Sequence, residues 1–363
     1  MATTLDTPSG HSTGFLAPTV AGDRAVAGWL FFCAGLVVLM MLVGAITRLT
    51  ESGLSIAEWA PLIGALPPLS DTEWQRVFDL YRQTTEYQTV NAGMTLAGFK
   101  TIFWWEYLHR LLGRFIGVAF GLPLLWFLFR RRIDGRLGLR LGAIFLLGGL
   151  QGGIGWWMVK SGLVDRVDVS QYRLATHLII AFLILGALLW TAIGLLPLPR
   201  ARVAPPYRIR RLSLAFVGLV FVLLFSGGLV AGLDAGFVYN EWPLMGGAIV
   251  PEAYDALTPW WLNSFENVAA VQFNHRLLAY ITALAVAALW YAARRDGLCS
   301  WARRPLDFLL LAAGLQVLLG ISAVVMAVPI ALGVAHQAGA ILVFCLAIWN
   351  ACSVYRQPPP HAN

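Results

Sequence analysis

Apolar residues along the chain are gathered into eight long runs, which are separated by polar segments of unequal length. Each run is long enough to cross the roughly 30 Å hydrocarbon core of a bilayer as a single helix. The pattern therefore predicts an all-α integral membrane protein with eight transmembrane helices. The runs cover residues 26–46, 103–129, 139–159, 173–195, 212–232, 268–293, 305–327 and 331–353.

Composition and charge placement agree with a membrane protein. Of the 363 residues, 58% are hydrophobic and only 12% are charged, whereas a soluble globular chain is about a quarter charged. The net charge of +7 does not indicate nucleic-acid binding, because the basic residues lie in short loops after the second, fourth and sixth runs. The long loops 47–102 and 233–267 are acidic on balance. Since positive loops face the cytoplasm, we predict cytoplasmic termini and a location in the cell inner membrane.

The chain repeats itself and so divides into two similar halves. Gly44 near the end of the first run corresponds to Gly227 in the fifth. The other matches are Glu58-Trp59 with Glu241-Trp242, Leu108-His109-Arg110 with Asn274-His275-Arg276, Gly149-Leu150-Gln151 with Gly314-Leu315-Gln316, and Thr176-His177 with Ala335-His336. An even number of helices per half gives both halves the same orientation. We therefore predict two four-helix bundles related by a pseudo-twofold axis along the membrane normal.

The repeat also sets the predicted domain organisation. The N-terminal four-helix half spans 26–196 and the C-terminal half spans 212–354. A disordered cytoplasmic tail at 1–25, a basic cytoplasmic linker at 197–211 and a second cytoplasmic tail at 355–363 complete the chain. Two further local patterns predict packing: residues 73–83 favour an amphipathic helix at the membrane surface, and the pairs Gly148/Gly152 and Gly149/Gly153 favour close helix approach.

Four histidines occupy equivalent places in the two halves. His109, His177, His275 and His336 fall one in each even-numbered helix, near the end that we predict to be extracytoplasmic. At 1.5 Å per residue all four lie about 10 Å into the membrane, so each half has two imidazoles at one level on different helices. This suits the two axial ligands of a haem iron, with the haem propionates toward the extracytoplasmic surface. The sequence therefore predicts two haem sites.

Other uses of these histidines stay open. A proton relay or structural hydrogen bonds between helices would also place imidazoles inside a membrane protein. Another metal is a third alternative, although a zinc or di-iron site would need more carboxylates or thiolates close by. The four cysteines form no spaced pair, so we expect neither a disulfide nor a thiolate metal site.

One acidic residue distinguishes the two halves. Glu106 lies one helical turn before His109 and on the same face, whereas the corresponding residue before His275 is Gln272. A carboxylate near hydrocarbon is costly and can hold or move a proton. Our interpretation is that the N-terminal half performs chemistry and the C-terminal half carries electrons. The alternative is a structural ion pair of Glu106 with Arg110 or Arg114.

Several cations near the helix ends are candidate contacts for haem propionates, because charge-assisted hydrogen bonds to carboxylates are strong. For two of them, Arg48 and Lys160, simple snorkelling at a helix end is the alternative. We interpret the polar and aromatic turn at residues 240–245 as a packing element that covers a site. The candidate cations are Arg48, Arg110, Lys160 and Arg276.

Five motifs in order along the chain resemble those of the haem A synthase family, in the form found in mitochondria and many proteobacteria. The resemblance covers nearly the whole chain outside the tails. The motifs are Thr47-Arg48-Leu49-Thr50-Glu51-Ser52-Gly53-Leu54-Ser55, Glu106-Tyr107-Leu108-His109-Arg110, Gly155-Trp156-Trp157-Met158-Val159-Lys160-Ser161-Gly162-Leu163, Tyr239-Asn240-Glu241-Trp242-Pro243-Leu244-Met245 and Asn274-His275-Arg276.

The resemblance implies an oxidoreductase that converts the C8 methyl group of haem O into the formyl group of haem A through two hydroxylations. It implies that His109 and His177 hold the substrate haem O, that His275 and His336 hold a haem b cofactor, and that Glu106 is needed for catalysis. It also implies a role in cytochrome oxidase assembly, with a haem O synthase and an electron donor as partners. A homo-oligomer stays open.

Two departures from the family pattern are present. Some bacterial members carry cysteine pairs in the extracytoplasmic loops, and this chain has none there. The family's second long loop often reads Asn-Thr-Phe-Pro-Leu-Met, whereas here Glu241 and Trp242 replace the second and third residues. This replacement adds a charge and a larger ring near the predicted site.

Two other function classes remain as alternatives. A dihaem b-type electron-transfer cytochrome would need all four histidines but no special acid, and would usually place its haems at two depths. A transporter would favour broken helices and polar residues near the membrane midplane.

Overall fold

The computed structural model describes residues 24–58, 63–164, 168–197 and 205–355. Eight helices in these ranges are long and apolar enough to cross a membrane, which confirms the predicted all-α membrane fold. The first 23 residues, Trp59, residues 198–204 of the predicted linker and residues 356–363 lie outside the described ranges. We label the long helices α1 (Arg24–Leu49), α2 (Leu96–Phe129), α3 (Gly135–Val164), α4 (Gln171–Leu195), α5 (Tyr207–Gly232), α6 (Val268–Arg295), α7 (Ser300–Val325) and α8 (Ile330–Tyr355).

Several helices begin before the apolar runs that predicted them. The run at 103–129 begins well inside α2, whose start is set by Thr95: its side chain accepts a hydrogen bond from the Gly98 backbone N–H at 3.2 Å, as helix N-cap residues do. In α5 the helix starts after Pro206, so Arg208, which we placed in the linker, is already helical. A prediction from hydropathy ends a span at the first charged residues, whereas the helical hydrogen bonds of the backbone continue beyond the hydrocarbon core.

The two long loops carry short helices of their own. The amphipathic helix predicted at 73–83 is found at Asp71–Tyr81, where Ser70 Oγ accepts a hydrogen bond from Glu73 N. Its apolar side packs Trp74 against Phe103 of α2, with ring centroids 4.9 Å apart. The other short helices are Ile63–Ala65, Thr85–Thr89, Ala235–Phe237, Trp260–Leu262 and Asn263–Glu266. We call the end of the molecule formed by residues 50–95 and 233–267 the loop face.

The long helices contact one another in two closed sets. In the first half α1 packs against α2 and α4, and α3 also packs against α2 and α4. In the second half α5 packs against α6 and α8, and α7 does the same. The halves meet where α4 contacts α5 and α8, and where α1 contacts α8. Exchanging the halves maps the α4–α5 contact onto the α1–α8 contact. The pseudo-twofold axis stays a prediction, which this exchange supports.

The closest helix approach is not where the glycine pairs of α3 predicted it. No atom of another element lies within 4 Å of a Cβ built on Gly148, Gly149, Gly152 or Gly153. This prediction was wrong because α3 lies at the edge of its half, where its substantial contacts with long helices are those with α2 and α4. Two glycines of α5 make the close contacts instead: Gly228 packs on Ala175 and Gly232 packs on Gln171, both residues of α4.

Replacing Gly232 by alanine is expected to destabilise the junction between the halves. The new Cβ would stand 2.5 Å from the Gln171 Cα, and backbone cannot move aside as a side-chain tip can. Overpacking of this kind costs about 1–3 kcal/mol. Thermal unfolding in detergent measures the loss. The matched control is Gly218→Ala on the exposed side of the same helix, where nothing lies within 4 Å. Equal melting temperatures for both variants would contradict the expectation.

Candidate functional site

Each of the four predicted ligand histidines packs its ring against a glycine of another helix. The glycines Gly44 and Gly227 correspond in the repeat, and so do Gly155 and Gly320. A Cβ at these glycines would lie only 3.0 to 3.3 Å from the facing ring, so each glycine makes room for one imidazole. The contacts are His109 with Gly44 of α1, His177 with Gly155 of α3, His275 with Gly227 of α5, and His336 with Gly320 of α7.

The histidines come together in two pairs. His109 lies within electrostatic range of His177, and His275 lies within range of His336. In each half a glutamine on the odd-numbered helix donates its side-chain N–H to the backbone carbonyl of the second histidine. The distances are 3.0 Å from Gln151 to His177 and 2.9 Å from Gln316 to His336. The repeat seen in the sequence is therefore reproduced at both sites, while the equal depth of the four rings stays a prediction.

The donor set fits axial ligation of two haem irons. Each half supplies two partly buried imidazoles from different helices. The Gln316 amide nitrogen lies 3.1 Å from Nδ1 and 3.5 Å from Nε2 of His336, whereas no side chain among the described residues contacts both nitrogens of the other three rings. The Nδ1 atom of His177 is buried with no hydrogen-bond partner, which is unusual for a buried polar atom and leaves it available. Among the described residues, no cluster of three or more His, Cys, Asp and Glu side chains is placed to hold a metal ion. A zinc or di-iron site would need such a cluster.

Glu106 is buried, with 2% of its surface exposed, and donors converge on both of its carboxylate oxygens. Ser55 Oγ and Ile56 N each donate to Oε2 at 2.7 Å. The Arg110 guanidinium donates to Oε1 through Nε at 2.9 Å and through Nη2. The ion pair of the structural alternative is therefore present. It also has a second function, because it joins α2 to the segment 55–58.

Arg110 extends this connection to the loop backbone. Its guanidinium donates to the carbonyls of Ile56 at 2.8 Å and Glu58 at 3.0 Å. The corresponding Arg276 donates to the carbonyls of Tyr239 at 2.8 Å and Leu244 at 3.1 Å. In each half, then, the arginine after the first histidine holds the start of a long loop against the helix.

The C-terminal half keeps this arrangement without the charge. Gln272 is as buried as Glu106, with 2% exposed, and its Nε2 donates to the Tyr239 carbonyl at 3.3 Å. Its Oε1 is buried without a partner. An amide can hold the loop through one weak bond, whereas the Glu106 carboxylate accepts from several donors. The Glu106/Gln272 difference therefore changes the charge of a buried position, while the helix and the arginine beside it are the same in both halves.

The remaining candidate propionate contacts have other partners. Arg48 forms an ion pair with Asp234 at 2.7 Å and donates to the Ala231 carbonyl at 3.0 Å, so it joins α1 to the C-terminal half. Lys160 is exposed and lies over the Trp156 ring, 5.4 Å from its centroid. With Arg110 and Arg276 bound to loop carbonyls, contacts of all four cations with propionates stay predictions.

The two residues that depart from the family's second-loop pattern both have defined contacts. Glu241 Oε1 accepts a hydrogen bond from Gly247 N at 2.9 Å, which closes the turn. The Trp242 indole N–H donates to the Tyr280 hydroxyl of α6 at 2.7 Å. Asn240 donates to the carbonyls of Gly236 at 2.8 Å and of Val324 in α7 at 2.9 Å. The turn thus rests on two helices of the C-terminal half, as expected of a packing element.

Glu86 is a buried acid on the loop face that sequence reasoning missed. Its surface is 6% exposed and its Oε2 has no hydrogen-bond partner. Burial raises the pKa of the carboxyl to about 8; a hydrogen bond with Tyr81 opposes the rise, and the nearby carboxylates of Glu106, Glu51 and Asp168 add to it. The polar stretch around Glu86 looks like a solvated loop, so only the Thr84 side chain, which caps its helix, could have indicated order.

The region around Glu86 is expected to open more easily as the pH rises. The folded pKa of about 8 lies above the ordinary value of 4.5, so the folded state favours the protonated form. Protonated Glu86 therefore stabilises the folded loop fully below pH 4.5. This contribution falls as the pH rises toward 8, and no further loss occurs above that pH. Glu86→Gln should remove this dependence and resist loop proteolysis better than the wild type at pH 9.

Limited proteolysis of the loop face at pH 6 and pH 9 measures the effect. The control is Glu73→Gln, which changes a half-exposed carboxylate of the same loop. If the wild type and Glu86→Gln lose resistance in parallel between the two pH values, Glu86 does not control this opening.

Comparisons with known proteins agree over nearly the whole chain. Residues 27–348 match the COX15-CtaA family, which is described as cytochrome oxidase assembly protein. A protein of Nitrosospira multiformis named heme A synthase is 49% identical over 93% of this chain and 95% of its own length. Proteins of the same name from Parvibaculum lavamentivorans and Rhodopseudomonas palustris are 50% and 52% identical, over 92% and 91% of this chain and 95% and 91% of their own lengths. The chain therefore belongs to the COX15-CtaA family of cytochrome oxidase assembly proteins.

Proposed function

We propose that this protein is a haem A synthase, an oxidoreductase that converts the C8 methyl group of haem O into a formyl group. The observation that carries the proposal is the unequal duplication of the site. Two histidine pairs have the same surroundings, yet only the N-terminal one has a buried carboxylate, Glu106. The names of close relatives support the same activity.

The two halves take different haems in this proposal. His109 and His177 bind the iron of the substrate haem O, and His275 and His336 bind a resident haem b. When bound, the haem b supplies one-electron redox chemistry next to the substrate half. All four long helices of each half contribute to its site, two through a histidine and two through the glycine against which that histidine packs.

Glu106 and Arg110 act together on the substrate side. Their ion pair fixes the segment 55–58 against α2 and so shapes the wall beside His109. The Glu106 carboxylate is also the only buried acid on α2 in the described residues, one turn from the iron ligand. We assign it to hold a proton beside the substrate haem and to assist the loss of water from the gem-diol, a step that gives the formyl group without a change of oxidation state.

Orientation and partners follow from the same proposal. The termini face the cytoplasm, the loop face is extracytoplasmic, and both haem sites lie near it, in the cell inner membrane. A haem O synthase supplies the substrate and a separate electron donor supplies electrons to the resident haem. The dihaem electron-carrier alternative finds no support, because the relatives described above are named for haem A synthesis.

Haem extraction tests the proposal directly. The protein is produced in cells that make haem O but no haem A, and the extracted haems are separated and identified by mass. Haem A or its hydroxymethyl intermediate is expected only when the protein is present. Finding haem b and haem O alone, with a folded protein that holds haem, would support an electron carrier instead.

A further inference from the structure

Ser226 of α5 makes a contact that has no counterpart at the other three histidines. Its hydroxyl lies 2.8 Å from His275 Nδ1, and it donates its hydrogen to the Leu223 carbonyl, also at 2.8 Å. A serine hydroxyl has one hydrogen to give. Because the carbonyl takes that hydrogen, the oxygen can only accept from His275. This arrangement calls for the imidazole proton on Nδ1, which leaves the Nε2 lone pair free.

The other histidines lack such an acceptor at Nδ1. In the N-terminal half Val43 stands one residue before Gly44, where the C-terminal half has Ser226 before Gly227, and it offers no polar atom to His109. The His177 Nδ1 is buried and unpartnered. At His336 the hydrogen-bonding partner of Nδ1 is the Gln316 amide nitrogen, at 3.1 Å, which donates hydrogen bonds and does not accept them.

We propose that Ser226 is a positioning residue that commits His275 to ligate the iron of the resident haem through Nε2. This inference rests on the proposed function, which places haem b in the C-terminal half. Metal-bound histidines normally donate their second ring N–H to a fixed acceptor, which sets the tautomer and orientation and makes the imidazole a stronger donor. Val43 leaves His109 without this restraint, so the same frame holds a permanent cofactor on one side and an exchangeable haem on the other.

Removing the Ser226 hydroxyl is expected to weaken the binding of the resident haem and to shift its midpoint potential. Ser226→Val and Ser226→Thr are nearly equal in shape and differ in the hydroxyl. Loss of such an outer partner typically costs about 10–100-fold in affinity. An imidazole that donates a hydrogen bond favours ferric iron, so loss of this hydrogen bond raises the midpoint potential. If the ferric haem loses tenfold more affinity than the ferrous haem, the potential rises by about 59 mV.

The test uses purified full-length protein loaded with haem b. Transfer of haem to apomyoglobin gives the rate of loss, and a redox titration followed by the low-spin absorption bands gives the potential. We expect Ser226→Val to lose haem faster and to titrate at higher potential, with Ser226→Thr close to the wild type. Ser226→Ala serves as the second variant without a hydroxyl if the valine side chain prevents folding. Val43→Ser is the matched change in the other half and should leave this potential unchanged.

The outcomes separate this inference from the proposed function. If variants with and without the hydroxyl share one potential and one rate of haem loss, the role of Ser226 is wrong and the function stands. If Val43→Ser shifts the midpoint potential of the resident haem as much as Ser226→Val does, the role of Ser226 is also wrong. A wild-type protein that binds no bis-histidine haem would overturn the proposed function, and this inference with it.

Discussion

Replacing Glu106 by glutamine is expected to lower the rate of haem A formation by about 10²–10⁴-fold, the usual contribution of a proton-transferring group. Glutamine has nearly the same shape and can still accept from Ser55 and Ile56, so the pocket wall should persist. What it loses is the negative charge and the ability to take a proton. Haem A and hydroxymethyl haem are measured by extraction from cells that supply haem O.

Two comparisons separate proton transfer from pocket shape. If the carboxylate only neutralises Arg110, removing both charges in Glu106→Gln/Arg110→Gln should restore activity relative to Glu106→Gln, because an unpaired buried charge is more harmful than no charge. If it takes a proton, the double variant stays inactive. Glu73→Gln on the exposed side of the loop face is the control. Full activity in Glu106→Gln would contradict both roles.

Moving the acid to the other half sharpens the comparison. Gln272→Glu combined with Glu106→Gln places the carboxylate one turn before His275, beside Arg276, in a frame that closely repeats the original. We expect no recovery of haem A formation, because the haem of that half is the cofactor in our proposal. Recovery would mean that the two halves can exchange roles.

Replacing His275 by alanine is expected to abolish the low-spin spectrum of the resident haem. A haem iron that loses one of two axial imidazoles becomes five-coordinate or leaves the protein. His109→Ala should keep that spectrum and lose haem A formation, since it changes only the substrate half. Absorption spectra of the reduced proteins and the haem content per chain measure both effects.

The two histidine variants control for each other, because both remove a partly buried imidazole that packs against a glycine. Similar losses of haem b in both would indicate general unfolding, which size-exclusion chromatography would reveal. The opposite pattern, with haem b lost only in His109→Ala, would reverse the assignment of the halves.

Hydropathy predicted all eight membrane helices, because a span must satisfy its backbone internally and so appears as one long apolar run. It missed the helix starts at Leu96 and Tyr207. These starts lie outside the apolar runs, where a capping side chain and a proline determine the first helical residue. The glycine pairs of α3 also misplaced the closest helix approach. Small residues suit a helix interface, but they are tolerated equally on a side of α3 that no other helix covers.

At the site, the repeat made the histidine pairs and the Glu106/Gln272 contrast visible from sequence. The partners of Glu106 were not visible, because Ser55 and Ile56 come from a loop about fifty positions earlier in the chain. Glu86 was missed for a related reason: its burial depends on how the loop helices fold over α2. Ser226 could have been found by asking which residue precedes each ring-facing glycine, once those glycines were known.

The pairing of each histidine with a glycine on the preceding helix has a consequence for how the protein is made. Each successive pair of long helices holds one imidazole against a glycine of the same pair, so we expect the chain to be inserted as four helical hairpins. A haem site needs two hairpins, so the N-terminal pair can meet while synthesis continues. The C-terminal pair can form only after α8 has been inserted. In the proposed assignment of the halves, loading of the cofactor haem therefore follows insertion of α8, and a cell can control it separately from assembly of the substrate site.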